Sequence, residues 1–254
     1  MAIRVETSHG VGEIIIDAPP VNALDNAGWQ EFASKMTALG RDPSVHCVVI
    51  RSQGRGFQCG VDVKELAEDG SLIVELNRGC YESFAAVYDC PVPTIAAVHG
   101  YCIGGGIGLA GSADFVIAAD DATFSLPEID RGALGAATHL MRMVGVQKAR
   151  RMLYTCESIT ADELHRLGGC ESVVPADRLR DEAFEVARSI ASKSPKALRL
   201  AKTAMNGIEL LDVKKSYRYE QGFTLELYTT PDSQEARDAF VEKRDAKFQD
   251  ESES

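Results

Sequence analysis

Residues 93–114, PTIAAVHGYCIGGGIGLAGSAD, are the stretch around which the chain is organised. Its apolar start predicts a short strand over 94–98, and the glycines that follow predict a turn into a small-residue helix. Glycine lets a ligand approach the main chain, and the unpaired amides of a helix N-terminus can hold an oxygen that becomes negative during a reaction. A buried helix that merely packs closely explains the same residues equally well, so the segment alone leaves both interpretations open.

Three other glycine motifs are not indicated here. A dinucleotide fingerprint requires an acidic residue about 20 positions later at the end of a strand, but Glu128 follows Leu126-Pro127, which is typical of a turn. The stretch lacks the Gly-Lys-Ser/Thr of a phosphate-binding loop and the G-x-S-x-G of a hydrolase nucleophile. What remains is an oxyanion-binding turn without an attached nucleophile.

Composition limits the class of protein. A chain of 254 residues with 45% hydrophobic and 26% charged residues predicts one main globular domain with a smaller appendage. The net charge of −11 argues against nucleic acid or an anionic membrane as the main partner. An odd set of seven cysteines without a C-x-x-C pair, together with the lack of a signal or membrane-spanning segment, predicts a cytoplasmic protein. The histidines lack metal-ligand spacing, so we predict no metal.

Apolar runs on both sides of His9-Gly10 predict a β-hairpin, Asp25 is predicted to cap a helix, and the β-branched run over residues 45–51 predicts a buried strand.

Strands alternate with helices through the first three quarters of the chain, which predicts an α/β core over residues 1–193. From Ser194-Pro195, a cap followed by proline, the pattern is helical, so residues 194–254 are predicted as a helical C-terminal region. The motif Asp232-x-x-Glu235 is predicted to open the last helix. We expect this region to be both an appended subdomain and an oligomer contact.

A second glycine turn, GRGFQCGVDVKEL over residues 54–66, repeats the order strand, glycine turn, helix start. Two such turns could aim two main-chain amides at one point. Spacing alone does not exclude two unrelated loops.

Glu128 is the main candidate for acid–base chemistry. A carboxyl group at the mouth of an apolar pocket has a raised pKa, which suits proton transfer near neutral pH. From its local sequence alone, an ordinary surface turn is the favoured interpretation. Asp130 and Arg131 can pair with each other or with Glu128, and His139 can titrate near physiological pH, although a lone histidine beside a helix start is more often structural.

Several separated motifs resemble the enoyl-CoA hydratase/isomerase, or crotonase, family, and they follow in the right order over nearly the whole chain. They are residues 20–24 (PVNAL), 56–65 (GFQCGVDVKE), 100–106 (GYCIGGG), Asp114, 124–128 (FSLPE) and 239–244 (AFVEKR). The resemblance implies a crotonase-like spiral of ββα units with a helical C-terminal region that builds trimers, often paired into hexamers. It also implies an acyl-CoA substrate whose thioester oxygen sits between the amides of Val61 and Gly105.

The resemblance implies further contacts to the substrate around those two amides. The expected substrate-binding residues are Arg55, Gly60, Asp62, Lys64, Gly104 and Arg131. The CoA phosphates require a basic rim, for which Arg55, Lys64, Lys202 and Lys243 are available without a ranking among them. CoA is part of the substrate, so no separate cofactor is expected.

One position departs from the family's hydratases. They carry a glutamate two residues after the glycine triplet and a second one in the Pro-Glu motif, whereas this chain has Gly108 at the first place and Glu128 at the second. Hydration by two carboxylates therefore lacks one member. Chemistry run by one carboxylate, as in isomerases and some C–C hydrolases of the family, is favoured.

Four stretches, residues 77–80, 86–90, 131–139 and 219–224, resemble one subgroup, which opens a ring of a steroid-derived bicyclic diketo acyl-CoA by hydrolysis. This implies that Glu128 activates water and later returns a proton to carbon, while Asp130, Arg131 and His139 help to orient the water or the ketone. An enoyl-CoA isomerase or hydratase is the alternative. A non-catalytic scaffold or an RNA-binding relative is the least favoured interpretation.

Overall fold

The structure is a computed structural model, and it describes residues 2–63, 66, 69–209 and 212–247. The strands are β1 (Ile3–Ser8), β2 (Val11–Ile16), β3 (Cys47–Ser52), β4 (Thr94–Val98), β5 (Tyr101–Ile103), β6 (Phe115–Ala119), β7 (Thr123–Ser125), β8 (Ser158–Thr160) and β9 (Ser172–Val174). The helices are α1 (Asn26–Arg41), α2 (Ile73–Tyr88), α3 (Gly105–Ser112), α4 (Ala137–Thr155), α5 (Ala161–Arg166), α6 (Leu179–Ala191), α7 (Pro195–Ile208), α8 (Val213–Leu227) and α9 (Pro231–Glu242). Short 3₁₀ helices cover Gly70–Leu72, Ile129–Arg131 and Ala176–Arg178.

The main sheet has six strands in the order β1-β2-β3-β4-β6-β9. Strands β1 and β2 form the antiparallel hairpin that the sequence predicts, with Ile3 opposite Ile16, and the other pairs are parallel. Both faces are buried over the central strands β2, β3 and β4: one belongs to the large core that includes α1 and α2, and the other packs against α6. Parallel strands that are covered on both faces have continuous apolar runs in their sequence, and such runs predict β3 and β4.

A second sheet of three strands, β5-β7-β8, stands beside the main one. Its first strand was not predicted, because three residues between two glycines carry no readable periodicity. Tyr101 pairs with Thr123 and Ile103 with Ser125, so β5 carries the chain from β4 to the start of α3 beside the end of β7.

Several helix starts confirm predicted caps. Asp25 accepts a hydrogen bond from Gly28 N (2.7 Å), and Ser194 accepts one from Ala197 N (3.4 Å). The predicted start of the last helix at Asp232 is wrong. Thr230 is the cap, since its hydroxyl accepts from Ser233 N (3.2 Å), and Pro231 takes the first helical position, where its missing N–H costs nothing.

After Ser194 the described part of the chain forms the helices α7, α8 and α9. Helix α8 packs on α2 and α4, and Tyr217 belongs to the same core as the first sheet. On α7, Leu200, Met205 and Ile208 are exposed apolar side chains. Within the described ranges, every helix is too short or too polar to cross a membrane.

Candidate active site

The second glycine turn is fixed by two side-chain amides. Asn22 Nδ2 donates to Gly56 O (2.8 Å). Gln58 closes a ring with Gly60, since its Nε2 donates to Gly60 O (2.6 Å) and its Oε1 accepts from Gly60 N (2.7 Å). These bonds satisfy the buried polar groups of the turn and hold the backbone that leads into Val61.

The two glycine turns touch each other. Ile103 N donates to Gln58 O (2.9 Å), and a Cβ placed on Gly60 would lie 3.5 Å from Gly105 N. Gly60 also has a φ of +81°, so a side chain there would be strained as well as close. Neither Val61 N nor Gly105 N donates a hydrogen bond to a group in the described part of the chain. Both amides are therefore available as donors.

Glu128 follows β7 and directly precedes the 3₁₀ helix Ile129–Arg131. A Cβ on Gly104 would collide with Glu128 Oε1, so the carboxyl group lies directly against the first glycine of the triplet. Its Oε2 is buried and has no hydrogen-bond partner among the described residues. Burial raises the pKa of Glu128 to about 8, with the charge of Arg131 opposing the rise. A carboxyl group with this pKa can exchange a proton near neutral pH.

One cavity brings together Val61, Gly104, Gly105 and Glu128. The rest of the cavity wall is mostly apolar or uncharged. It comes from α2, from residues 133–136, and from α8 together with the residue that follows it. Among these wall residues are Leu76, Asn77, Phe84, Leu134, Tyr217 and Tyr228. The arrangement can hold a carbonyl oxygen beside main-chain amides, with one carboxyl group alongside in surroundings of low polarity.

Three other expected residues, Asp130, Arg131 and Arg55, are not among the residues that line this cavity. Asp130 is exposed on the 3₁₀ helix, and Arg131 places its guanidinium 4.8 Å from the centre of the Phe240 ring. Arg55 is exposed and donates to Pro20 O (3.4 Å).

Two more of the expected residues belong to the second turn. Asp62 donates its amide to Leu24 O (3.0 Å) and is half-buried. Lys64 lies outside the described residues, as do parts of the helix predicted after the turn.

His139 is not among the residues that line the cavity with Glu128. Its ring is fully buried, with centroids 4.9 Å from Phe84 and 5.0 Å from Tyr217, and neither ring nitrogen has a hydrogen-bond partner among the described residues. Burial lowers the pKa of His139 to about 3. Phe84 and Tyr217 line the cavity with Glu128, whereas His139 does not. The imidazole is a neutral part of the aromatic core in this structure.

Phe84 fills the space over Gly108. A Cβ placed on Gly108 would collide with the outer end of the Phe84 ring, which is 3% exposed and packs edge-on against Trp29 at 5.6 Å. The position where the family's hydratases carry their first glutamate is therefore occupied by an aromatic ring. The sequence shows Phe84 only as one apolar residue of an amphipathic helix, so this role could not be read from it.

Three of the stretches that resemble the ring-opening subgroup meet in space. Three hydrogen bonds join them: Thr224 Oγ1 to Leu134 O (2.6 Å), Gln221 Nε2 to Asn77 O (2.5 Å), and Ala137 N to Glu220 Oε1 (2.8 Å). Helix α8 thus holds residues 133–136, which form one side of the cavity.

We expect Glu220→Ala to destabilise the fold. Its carboxylate accepts from Ala137 N (2.8 Å) and Thr138 N (3.2 Å) at the start of α4, and losing such a cap costs about 0.5–2 kcal/mol. The measurement is the free energy of unfolding in urea. Glu226→Ala, on the exposed side of the same helix, is the control. Equal losses in the two variants would contradict the capping role.

No group of three or more His, Cys, Asp or Glu side chains in the described ranges is arranged to hold a metal ion.

The comparisons with known proteins agree with this geometry. A family model described as enoyl-CoA hydratase/isomerase matches residues 6–251. A protein of Rhodococcus jostii (strain RHA1) named (7aS)-7a-methyl-1,5-dioxo-2,3,5,6,7,7a-hexahydro-1H-indene-carboxyl-CoA hydrolase is 51% identical over 235 residues, 92% of this chain and 91% of that protein. A Mycobacterium tuberculosis (strain ATCC 25618 / H37Rv) protein with the same name is 47% identical over 92% of this chain and 96% of its own length. The crystal structure of an enoyl-CoA hydratase/isomerase from Xanthobacter autotrophicus Py2 has a TM-score of 0.88 at 30% identity and covers 98% of this chain and 99% of that one.

Proposed function

The chain belongs to the enoyl-CoA hydratase/isomerase family, and from this premise we propose that it hydrolyses a carbon–carbon bond in a cyclic acyl-CoA thioester. The predicted crotonase-like fold is confirmed. The substrate class we propose is a steroid-derived bicyclic diketo-indene carboxyl-CoA, the kind of compound for which the Rhodococcus and Mycobacterium relatives are named. CoA is part of this substrate, so the proposed reaction requires no separate cofactor.

The observation that carries the proposal is that Glu128 is the one acidic side chain among the described residues that line the cavity. Phe84 occupies the space over Gly108, and Glu128 lies beside the glycine triplet. Addition of water across a double bond by two carboxylates lacks its first member here. One carboxyl group suffices when it takes a proton from water and later returns a proton to carbon.

The thioester oxygen is the electron acceptor in this mechanism. When the ring C–C bond breaks, its electron pair moves through the conjugated double bond to the thioester oxygen, which becomes negative. The amides of Val61 and Gly105 stabilise that charge, since neither donates to another group in the described part of the chain and both residues line the same cavity. Each donor of this kind typically contributes a factor of about 10²–10³ in rate.

Glu128 performs the proton transfers. As the carboxylate it accepts a proton from the attacking water, whose oxygen bonds to the ring ketone carbon. After cleavage the carboxylic acid returns the proton to the carbon of the thioester dienolate. The ring-opened product therefore contains the atoms of one added water molecule.

Two substrates test the proposal. We expect rapid ring opening of the diketo-indene carboxyl-CoA, detected by mass spectrometry as the gain of one water, and slow hydration of a straight-chain 2-enoyl-CoA. Fast hydration of the straight-chain thioester without ring opening would overturn the proposal and favour the alternative, an enoyl-CoA hydratase or isomerase. A protein that binds neither thioester would favour a non-catalytic role.

Fewer basic residues are available to hold the CoA phosphates than the sequence suggested. Lys202 is 5% exposed and its Nζ bonds to both carboxylate oxygens of Asp114 (2.7 and 2.8 Å), so it is a structural residue rather than a phosphate ligand. Arg55 and Lys243 are exposed and remain as candidates, and Lys64 lies outside the described residues.

We propose a homotrimer or a dimer of trimers in solution. The exposed apolar side chains on α7, Leu200, Met205 and Ile208, support an interface on this helix. Light scattering after size-exclusion chromatography measures the assembly, and a monomer at micromolar concentration would contradict it. We also propose a cytoplasmic location, which the seven unpaired cysteines support.

A further inference from the structure

Tyr228 and Arg237 form a stacked pair beside the cavity. Tyr228 follows α8 and lines the cavity together with Glu128. Arg237 lies on α9 with its guanidinium carbon 4.3 Å from the centre of the Tyr228 ring. The proposed function so far gives neither residue a role.

Arg237 is a buried cation without an acidic partner among the described residues. It is 6% exposed, it contacts the Ser233 hydroxyl, its Nη2 donates to Gln234 Oε1 (2.7 Å), and its Nε has no partner. Burying a charge is costly unless something compensates it. The aromatic face of Tyr228 provides part of that compensation, and the charge of Arg237 in turn acts on the phenol.

Tyr228 is coupled electrostatically to both charged neighbours. Burial raises the pKa of its phenol, the positive charge of Arg237 opposes the rise, and the negative charge of Glu128 adds to it. The phenol therefore stays protonated near neutral pH and serves as a hydrogen-bond donor whose strength Arg237 increases.

We propose that Tyr228 is a further catalytic residue, which donates a hydrogen bond to the ring ketone oxygen, and that Arg237 is a positioning residue acting through it. This inference rests on the proposed ring-opening function. The ketone oxygen needs a donor of its own, because the amides of Val61 and Gly105 are assigned to the thioester oxygen. Glu128, as the base, accepts a proton at this stage.

The step is balanced without a further reactant. When water adds, a C–O bond forms, the C=O π pair moves onto the ketone oxygen, and the released proton goes to Glu128. The Tyr228 hydroxyl stabilises the resulting alkoxide and keeps its own proton. When the ring C–C bond breaks, the alkoxide pair re-forms a C=O bond in the new carboxyl group.

The first test compares Tyr228→Phe with Tyr219→Phe on the diketo-indene carboxyl-CoA. Tyr219 is 73% exposed on the same helix, so its variant is the matched control. For Tyr228→Phe we expect kcat to fall on the order of 10²–10³-fold, with little change in KM, while the control stays at the wild-type rate. Unchanged melting temperature and unchanged Kd for a non-hydrolysable thioester analogue establish that the variant is folded.

The second test separates an electrostatic role of Arg237 from a structural one. Arg237→Gln is expected to lower kcat and to move the high-pH limb of the rate profile upward, since the phenol loses the cation that favours its ionisation. Arg237→Lys keeps the charge, so its kcat and the position of its high-pH limb are expected to be closer to the wild-type values. If the high-pH limb of Arg237→Gln does not shift, the electrostatic role of Arg237 is overturned.

The outcomes separate this inference from the proposed function. A wild-type protein that does not open the ring refutes the function itself. A wild type that opens the ring, with Tyr228→Phe retaining near-normal kcat, overturns only the assignment of Tyr228.

Discussion

Replacing Glu128 with glutamine is expected to lower kcat for ring opening by about 10²–10⁴-fold. The amide can neither take the proton from the attacking water nor return one to carbon. Glutamine keeps the size of the side chain beside Gly104, so binding should change little. Retention of near-normal turnover would remove Glu128 from the mechanism.

The pH dependence of kcat/KM is a second test of the role of Glu128. Glu128 is active as a base only when ionised, and its pKa is raised to about 8 by burial. The value of kcat/KM is therefore expected to rise about tenfold per pH unit below that point and to level off above it, until the Tyr228 phenol ionises at higher pH. The residual rate of Glu128→Gln should lack this limb.

The same substitution should stabilise the protein in alkaline solution. The folded state binds the Glu128 proton more tightly than the unfolded state does, because the pKa rises from 4.5 to about 8 on folding. The stability that this group contributes is complete below pH 4.5 and is lost as the pH rises through about 8. Glutamine stays neutral, so Glu128→Gln is expected to have the higher melting temperature at and above that pH. A lower melting temperature would contradict the burial of the charge.

The features that the sequence predicted are those that depend on residues close together in the chain. The hairpin of β1 and β2 follows from apolar runs around His9-Gly10, and the starts of α1 and α7 follow from Asp25 and from Ser194-Pro195. Both glycine turns and the turn at Glu128 could be located because glycine and proline mark strand ends. Their meeting at one cavity was an expectation from the family resemblance, and the structure brings Val61, Gly105 and Glu128 together.

What the sequence did not reveal depends on contacts between distant segments. The 77–80, 131–139 and 219–224 stretches were recognised as motifs, but nothing local indicates that Thr224 bonds to Leu134 or that Gln221 bonds to Asn77. The burial of His139 could not be predicted for the same reason, because its aromatic neighbours come from α2 and α8.

Converting Gly108 to glutamate, the residue that the family's hydratases carry there, is expected to fail as a route to hydratase activity. The new side chain would meet the ring of Phe84, and overpacking a core typically costs about 1–3 kcal/mol before the cost of a buried carboxyl group is added. We expect a large loss in the free energy of unfolding in urea and no fast hydration of a straight-chain 2-enoyl-CoA. Gly108→Ala, which introduces only the Cβ, serves as a milder companion variant.

The double variant Gly108→Glu/Phe84→Ala tests whether Phe84 is the cause. Phe84→Ala alone should cost about 3–5 kcal/mol because it leaves a cavity in the core. In the double variant the glutamate enters that space, so the combined loss is expected to be smaller than the sum of the two single losses. Hydration should then become measurable in the double variant while the single variants lack it, because Phe84 lines the cavity with Glu128 and a carboxyl group in its place would enter that cavity. Additive losses, or hydration by Gly108→Glu alone, would show that the ring of Phe84 does not exclude the two-carboxylate reaction.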